Sequence, residues 1–130
     1  MKRSLSGPEL SAAARDAVKR VLPWVRGTAP RPSRPAVAEA VRLSAEVLAQ
    51  VAPGNTVEVR VPPFVAVQCV AGPQHRRGTP PNVVQCDPHE WLRLVVGDVD
   101  LSSSDADISG TRAGAIGESL PLFRFGSSAG

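Results

Sequence analysis

Thr56-Val57-Glu58-Val59-Arg60-Val61, followed at once by Pro62-Pro63 and then Phe64-Val65-Ala66-Val67-Gln68-Cys69-Val70, is the stretch on which the fold turns. Val57, Val59 and Val61 alternate with Glu58 and Arg60, so one face is apolar and the other wet, which is the period of a strand and not of a helix. The two prolines break that strand. The run 64–70 is so evenly β-prone that it reads as an inner strand covered on both sides, paired antiparallel with the first. A third short strand, Asn82-Val83-Val84-Gln85, would complete a meander.

Upstream the period is helical. Behind Ser6, the expected N-cap, Leu10, Ala13, Ala14, Ala17, Val18 and Val21 recur at helical spacing, and Pro23 is expected to end that helix. Thr28-Ala29-Pro30-Arg31-Pro32-Ser33-Arg34-Pro35 is a stiff connector, because each proline fixes φ and disfavours helix in the residue before it. A second amphipathic helix starts near Pro35, with Val37, Ala40, Val41, Val47, Leu48 and Val51 as its stripe and Ser44 standing among them, and Pro53-Gly54-Asn55 stops it.

Downstream, Asp87-Pro88-His89-Glu90 supplies an acceptor at N-cap, proline at N1 and glutamate at N3, which predicts a capping box opening a short, well-buried helix from Pro88 to Val96 that Gly97 ends. Asp98, Asp100, Ser102-Ser103-Ser104, Asp105 and Asp107 read as an acidic surface loop before a short strand around Ile108. Ala113, Ile116 and Leu120 predict a helix over 111–120, although Gly114 and Gly117 each cost it about 1 kcal/mol relative to alanine. Leu122-Phe123-Arg124-Phe125 is a last apolar tag and 126–130 a disordered tail.

Helices flanking alternating strands place the chain in the α+β class, and 130 residues build one core: a single domain over 1–125, with helices in 1–54 and sheet plus helices in 55–125. No apolar run approaches the roughly 20 residues a membrane span needs. The opening Met1-Lys2-Arg3-Ser4-Leu5 is basic as an export signal is, but Glu9, Arg15 and Asp16 interrupt the uncharged segment that should follow, so the expected location is the cytoplasm. Two cysteines fit a reducing compartment. The net charge of +3 hides an asymmetry: residues 1–34 carry eight Lys and Arg against two acids, and the remainder seven against ten. Those basic residues are spread over helix faces and the connector, which reads as a solvated surface and not as a nucleic-acid contact.

No complete catalytic constellation emerges. Cys69, His75, Cys86 and His89 have the ligand types of a zinc site, but only Cys86-x-x-His89 is closely spaced, and Cys69 falls inside a strand. Cys86 precedes a helix N-terminus, which can activate a thiol, yet no oxyanion donor or orienting group accompanies it. The acids 98–107 lack the glycine and terminal glutamate of a calcium loop, and Gly110, Gly114 and Gly117 form no phosphate-binding fingerprint. The most unusual stretch is Gly72-Pro73-Gln74-His75-Arg76-Arg77-Gly78-Thr79-Pro80-Pro81, in which a stiff backbone presents His75, Arg76, Arg77 and Thr79 as a candidate polar loop for a carboxylate or phosphate.

The strand pair 57–69, the Arg-Gly-Thr-Pro-Pro-Asn-Val-Val run that follows, Asp87-Pro88, Trp91-Leu92-Arg93-Leu94, Gly97, Ser109-Gly110-Thr111-Arg112-Ala113 and Leu120-Pro121-Leu122 together resemble the sterol carrier family proteins of actinobacteria, a bacterial branch of the SCP-2-like fold. The resemblance covers roughly residues 56–123. It implies a curved, mainly antiparallel sheet covered by helices, and a tunnel between them that takes fatty-acyl chains or sterol-like molecules. Carried onto this chain, the candidate walls are Phe64, Val65, Val67, Trp91, Leu92, Val95, Ile108, Ile116, Leu120 and Phe123. The sequence departs from the family between Gly97 and Ser109, where the family has a longer segment with an aromatic residue and a further short helix. The expectation is a non-enzymatic binder or carrier of a lipid or other apolar small molecule, with no cofactor, no metal, no nucleic acid and no integral membrane association. The alternative is a protein-interaction module of the same fold.

Overall fold

The computed structural model describes Leu5, residues 7–72 and residues 82–126; residues 1–4, Ser6, 73–81 and 127–130 lie outside the described residues. Three α-helices, α1 (Gly7–Val25), α2 (Arg34–Val51) and α3 (Pro88–Val96), accompany four strands, β1 (Val57–Val61), β2 (Val65–Cys69), β3 (Asn82–Gln85) and β4 (Asp107–Ser109), with 3-10 turns η1 (Leu101–Ser103) and η2 (Ala113–Ser119). The architecture is α+β, with a mixed open sheet in the order β2-β1-β3-β4. Among the described residues no helix is long and apolar enough to cross a membrane.

The valine alternation becomes β1 as expected, with Val57, Val59 and Val61 buried and Glu58 and Arg60 on the open face, where they pair at 2.7 Å. β2 pairs antiparallel with β1, Val61 opposite Val65 and Val57 opposite Cys69. Two expectations change here. β2 is an edge strand and not an inner one, with Ala66 and Gln68 exposed, because β1 takes the central place and the small Ala66 needs no cover. β3 joins β1 parallel, so the three strands are not a meander. Asn82 secures that placement: its side-chain amide donates to the Thr56 carbonyl, and its oxygen accepts the Arg112 amide at 2.9 Å.

α1 runs through Pro23 instead of ending before it. The ring removes one amide in the last turn, but the Pro23 carbonyl serves as acceptor for Thr28 N–H while Gly27, at φ +80°, donates to Trp24, a Schellman closure that needs no amide from Pro23. α3 ends the same way at Gly97, with Asp98 N–H on the Arg93 carbonyl. Arg26 and Asp98 join the two helix ends at 3.4 Å. Gly54 is fixed by a close approach, since a Cβ there would fall on the Val70 carbonyl, which accepts the Thr56 amide.

The N-terminus of α3 is capped by Asp87, whose carboxylate accepts the Glu90 amide at 2.8 Å. The reciprocal half of the expected box is not made: the Glu90 carboxylate, almost wholly buried, accepts the Asp105 amide at 2.8 Å and Arg93 at 3.0 Å. It thereby ties the acidic segment to α3, and Leu101 of that segment is buried, so the stretch is more than a surface loop. The helix expected over 111–120 is the 3-10 turn η2, consistent with two glycines in a segment too short to sustain an α-helix.

α2 covers β2, η2 covers β1, β3 and β4, and α3 packs on α2 and α1. At the centre lies Trp91, the largest fully buried side chain, whose indole N–H donates to Ser44 Oγ at 2.9 Å while the Ser44 hydroxyl donates to the Ala40 carbonyl at 2.6 Å. Removing the hydroxyl leaves a buried donor unsatisfied, a loss of about 1–3 kcal/mol. Ser44→Ala is therefore expected to lower stability by that amount in urea denaturation, and to cost less when Trp91→Phe has already removed the donor; equal costs in both backgrounds would contradict the coupling.

Candidate functional site

The apolar space between helices and sheet is built from side chains that the strand and helix periods force inward. Val57, Val59 and Val61 of β1, Val65, Val67 and Cys69 of β2, Asn82 and Val84 of β3, and Ile108 of β4 share one face by register. Opposite them stand the buried faces of α2 and η2, and α3, packed on α1 and α2, adds its buried face to the same core. Trp91, Leu92, Val95 and Ile116 are wholly buried, and Phe64 and Phe123 nearly so, all six within one continuous core. Val65, Val67 and Leu120 are half-buried against it. Ile108 is 43% exposed, although its register places it on the inner face, because β4 is the far edge of the sheet.

These side chains are in contact as a packed core. A cavity of about 280 Å³ opens beside Gly97, Asp98, Leu101, Leu120 and Arg124, and one of about 260 Å³ lies on the open face of the sheet among Arg60, Val83, Gln85, Asp107 and Ser109. Of the ten candidate walls, Leu120 alone borders either of them. One boundary of the core is not a regular element. Residues 120–125 run over it outside any helix or strand and bend at Leu122, with the amides of Leu122 and Phe123 both donating to the Val95 carbonyl, at 2.9 and 3.1 Å. Arg15 reinforces this strap by donating to the Arg124 carbonyl and by lying over the Phe125 ring, 4.5 Å from its centroid.

The two thiols sit toward opposite ends of β1: Cys69 pairs with Val57, whereas the Cys86 amide donates to the Arg60 carbonyl. Three residues along a strand separate those positions by roughly 10 Å, too far to share one ion. Among the described residues no three His, Cys, Asp or Glu side chains gather as a metal site. His89 is engaged with the Trp24 carbonyl at 3.3 Å and stacks edgewise on the Trp24 ring. Asp100 caps η1, and hydrogen bonds from Ser102 and Ser103 hold its carboxyl below the usual carboxylate range. His75, Arg76, Arg77 and Thr79 lie outside the described residues.

Burial pushes the Cys86 thiol up to about 12, helped by Asp87 and Glu90, and that of Cys69 up to about 11. A thiol held neutral in this way is no nucleophile at neutral pH, so the helix dipole does not activate Cys86. The linkage has a definite sign. Between the ordinary thiol value near 9 and these raised values the unfolded chain loses protons that the folded chain keeps, so stability present below pH 9 declines as pH rises toward 12. Denaturation midpoints followed across that window should fall with pH, and Cys86→Ala should flatten the fall; an unchanged slope in the variant would contradict the assignment.

With this geometry in place, comparison with known proteins is informative. No curated protein matches the chain. The family described as "Bacterial SCP ortholog" matches residues 33–122, from the cap of α2 to the strap. That span holds the whole sheet and most of the candidate walls, and exceeds half of the chain. The protein belongs to this bacterial family of sterol carrier protein orthologues.

Proposed function

We propose that the protein binds and carries an apolar ligand between its helices and its sheet, a fatty-acyl lipid in preference to a sterol-like molecule, and catalyses no reaction. Family membership supports carriage in general. The observation that carries the reading is the way the core is closed: one continuous apolar cluster, bounded on one side by an irregular strap that two amides hold to a single carbonyl. Small-molecule sites are about 300–1,000 Å³, so a ligand enters only if the strap moves aside with its own side chains Leu120, Leu122 and Phe123. That rearrangement lowers apparent affinity by the fraction of molecules that are open.

A second reading has its own support. Since the cavities touch only Leu120 among the ten candidate walls, the same fold serves as a protein-interaction module if the interior stays packed. Native mass spectrometry of freshly purified protein separates the two. Carriage predicts a co-purifying mass of a few hundred daltons, or failing that a rise in melting temperature and a change in tryptophan emission on adding dodecanoate. A clean apo mass with neither response would move the conclusion to the interaction module.

A further inference from the structure

Arg20, Arg26, Arg60 and Arg93 each sit against a carboxylate. Arg34 and Arg42 do not. Both belong to α2, two turns apart, and both lie over one ring: their guanidinium carbons are 5.1 and 5.9 Å from the centroid of Phe64. Arg42 also donates from Nε to the Phe64 carbonyl at 3.3 Å. Both side chains belong to exposed residues, and neither has a carboxylate partner among the described residues; Glu39, on the same helix, is taken by Arg20, and Glu46 forms no ion pair with Arg42. Two like charges over one ring repel each other, and an anion between them removes that repulsion.

Phe64 itself is part of the core. Its ring is thus in contact with two guanidiniums while the residue belongs to the apolar core, next along the chain to the half-buried Val65. A guanidinium lying against an aromatic ring is oriented by it and keeps in-plane N–H groups available for carboxylate or phosphate oxygens. Resting on the carriage reading above, we infer that Arg34 and Arg42 form a head-group site at the Phe64 edge of the core, and that the ligand is an amphiphile bearing one anionic head, a carboxylate or a phosphate monoester, on an alkyl chain. Charge and apolar surface meet at a single residue, which favours an amphiphile over a free anion or a neutral lipid.

The test uses the whole protein with dodecyl phosphate below its micelle concentration, dodecanol and inorganic phosphate, followed by titration calorimetry. Wild type should bind dodecyl phosphate roughly ten- to hundredfold more tightly than dodecanol, the range that hydrogen bonds to a charged group supply. In the double variant Arg34→Gln/Arg42→Gln that preference should vanish, while dodecanol still binds and the protein still melts in one cooperative transition. Equal affinity for the two alkyl probes in wild type, or a preference that survives in the variant, would overturn the head-group site while leaving carriage standing. Phosphate alone binding as tightly as dodecyl phosphate would assign the pair to a free anion and overturn the amphiphile. Loss of binding to anionic vesicles in the variant, without any binding of soluble dodecyl phosphate, would assign it to a membrane surface instead. If neither alkyl probe binds at all, the carriage reading fails first and the head-group site with it.

Discussion

One hydrogen bond inside an apolar core sets the arrangement of this molecule. The Trp91 indole carries a donor that must find a partner once water is gone, and Ser44 supplies it, passing a donor in turn to the Ala40 carbonyl. The relay fixes where α3 stands along α2 and which way the largest buried ring points. Hydrophobic contact alone is non-directional and would tolerate sliding; a buried donor with one available acceptor does not. Everything that α3 carries therefore has a defined place, including the Val95 carbonyl that holds the strap and the Glu90 carboxylate that holds the segment leading to β4.

From that placement follows the character of the candidate site. Trp91, Leu92 and Val95 face an interior shared with β1 and η2, and the interior is continuous from Phe64 at one edge to Phe123 at another. A chain that fills its core so completely leaves little room for a ligand at rest. Family membership and packing are reconciled if occupancy replaces side-chain contacts instead of filling a vacancy, with the strap, which belongs to no helix or strand, as the element that moves. Two hydrogen bonds to one carbonyl, an arginine contact, the buried Phe123 and the half-buried Leu120, Leu122 and Phe125 hold it, whereas the helices are held by their full buried faces.

Local features were legible from residues alone. Val57, Val59 and Val61 announce β1 because a period of two admits no helix, and Asp87-Pro88 announces the start of α3 because cap and proline act within three residues. What depended on distant contacts was not legible. Glu90 has the position of a capping-box partner, but Asp105, fifteen residues on, claims its carboxylate. Pro23 obeys its general rule by removing an amide, yet its carbonyl closes the helix at Gly27. Ser44 looked like an interruption in an apolar stripe until Trp91 gave it a role. The parallel placement of β3 could not be read from strand patterns, since pairing direction follows from the path of the connection and from Asn82 bridging to Thr56 and Arg112. For the site, the core residues were recognisable by apolar character, but the Arg34 and Arg42 pair was not, because nothing in their spacing reveals that Phe64 lies beneath both.

The claim on which this account stands is that the strap opens without the rest of the molecule unfolding. Amide hydrogen exchange measured residue by residue, with and without dodecanoate, tests it directly. The account predicts that Leu122 and Phe123 exchange through an opening of lower free energy than that exposing the amides of α3, and that dodecanoate alters their rates while leaving those of α1 unchanged. Exchange of Leu122 and Phe123 only through global unfolding, at rates dodecanoate does not affect, would contradict it.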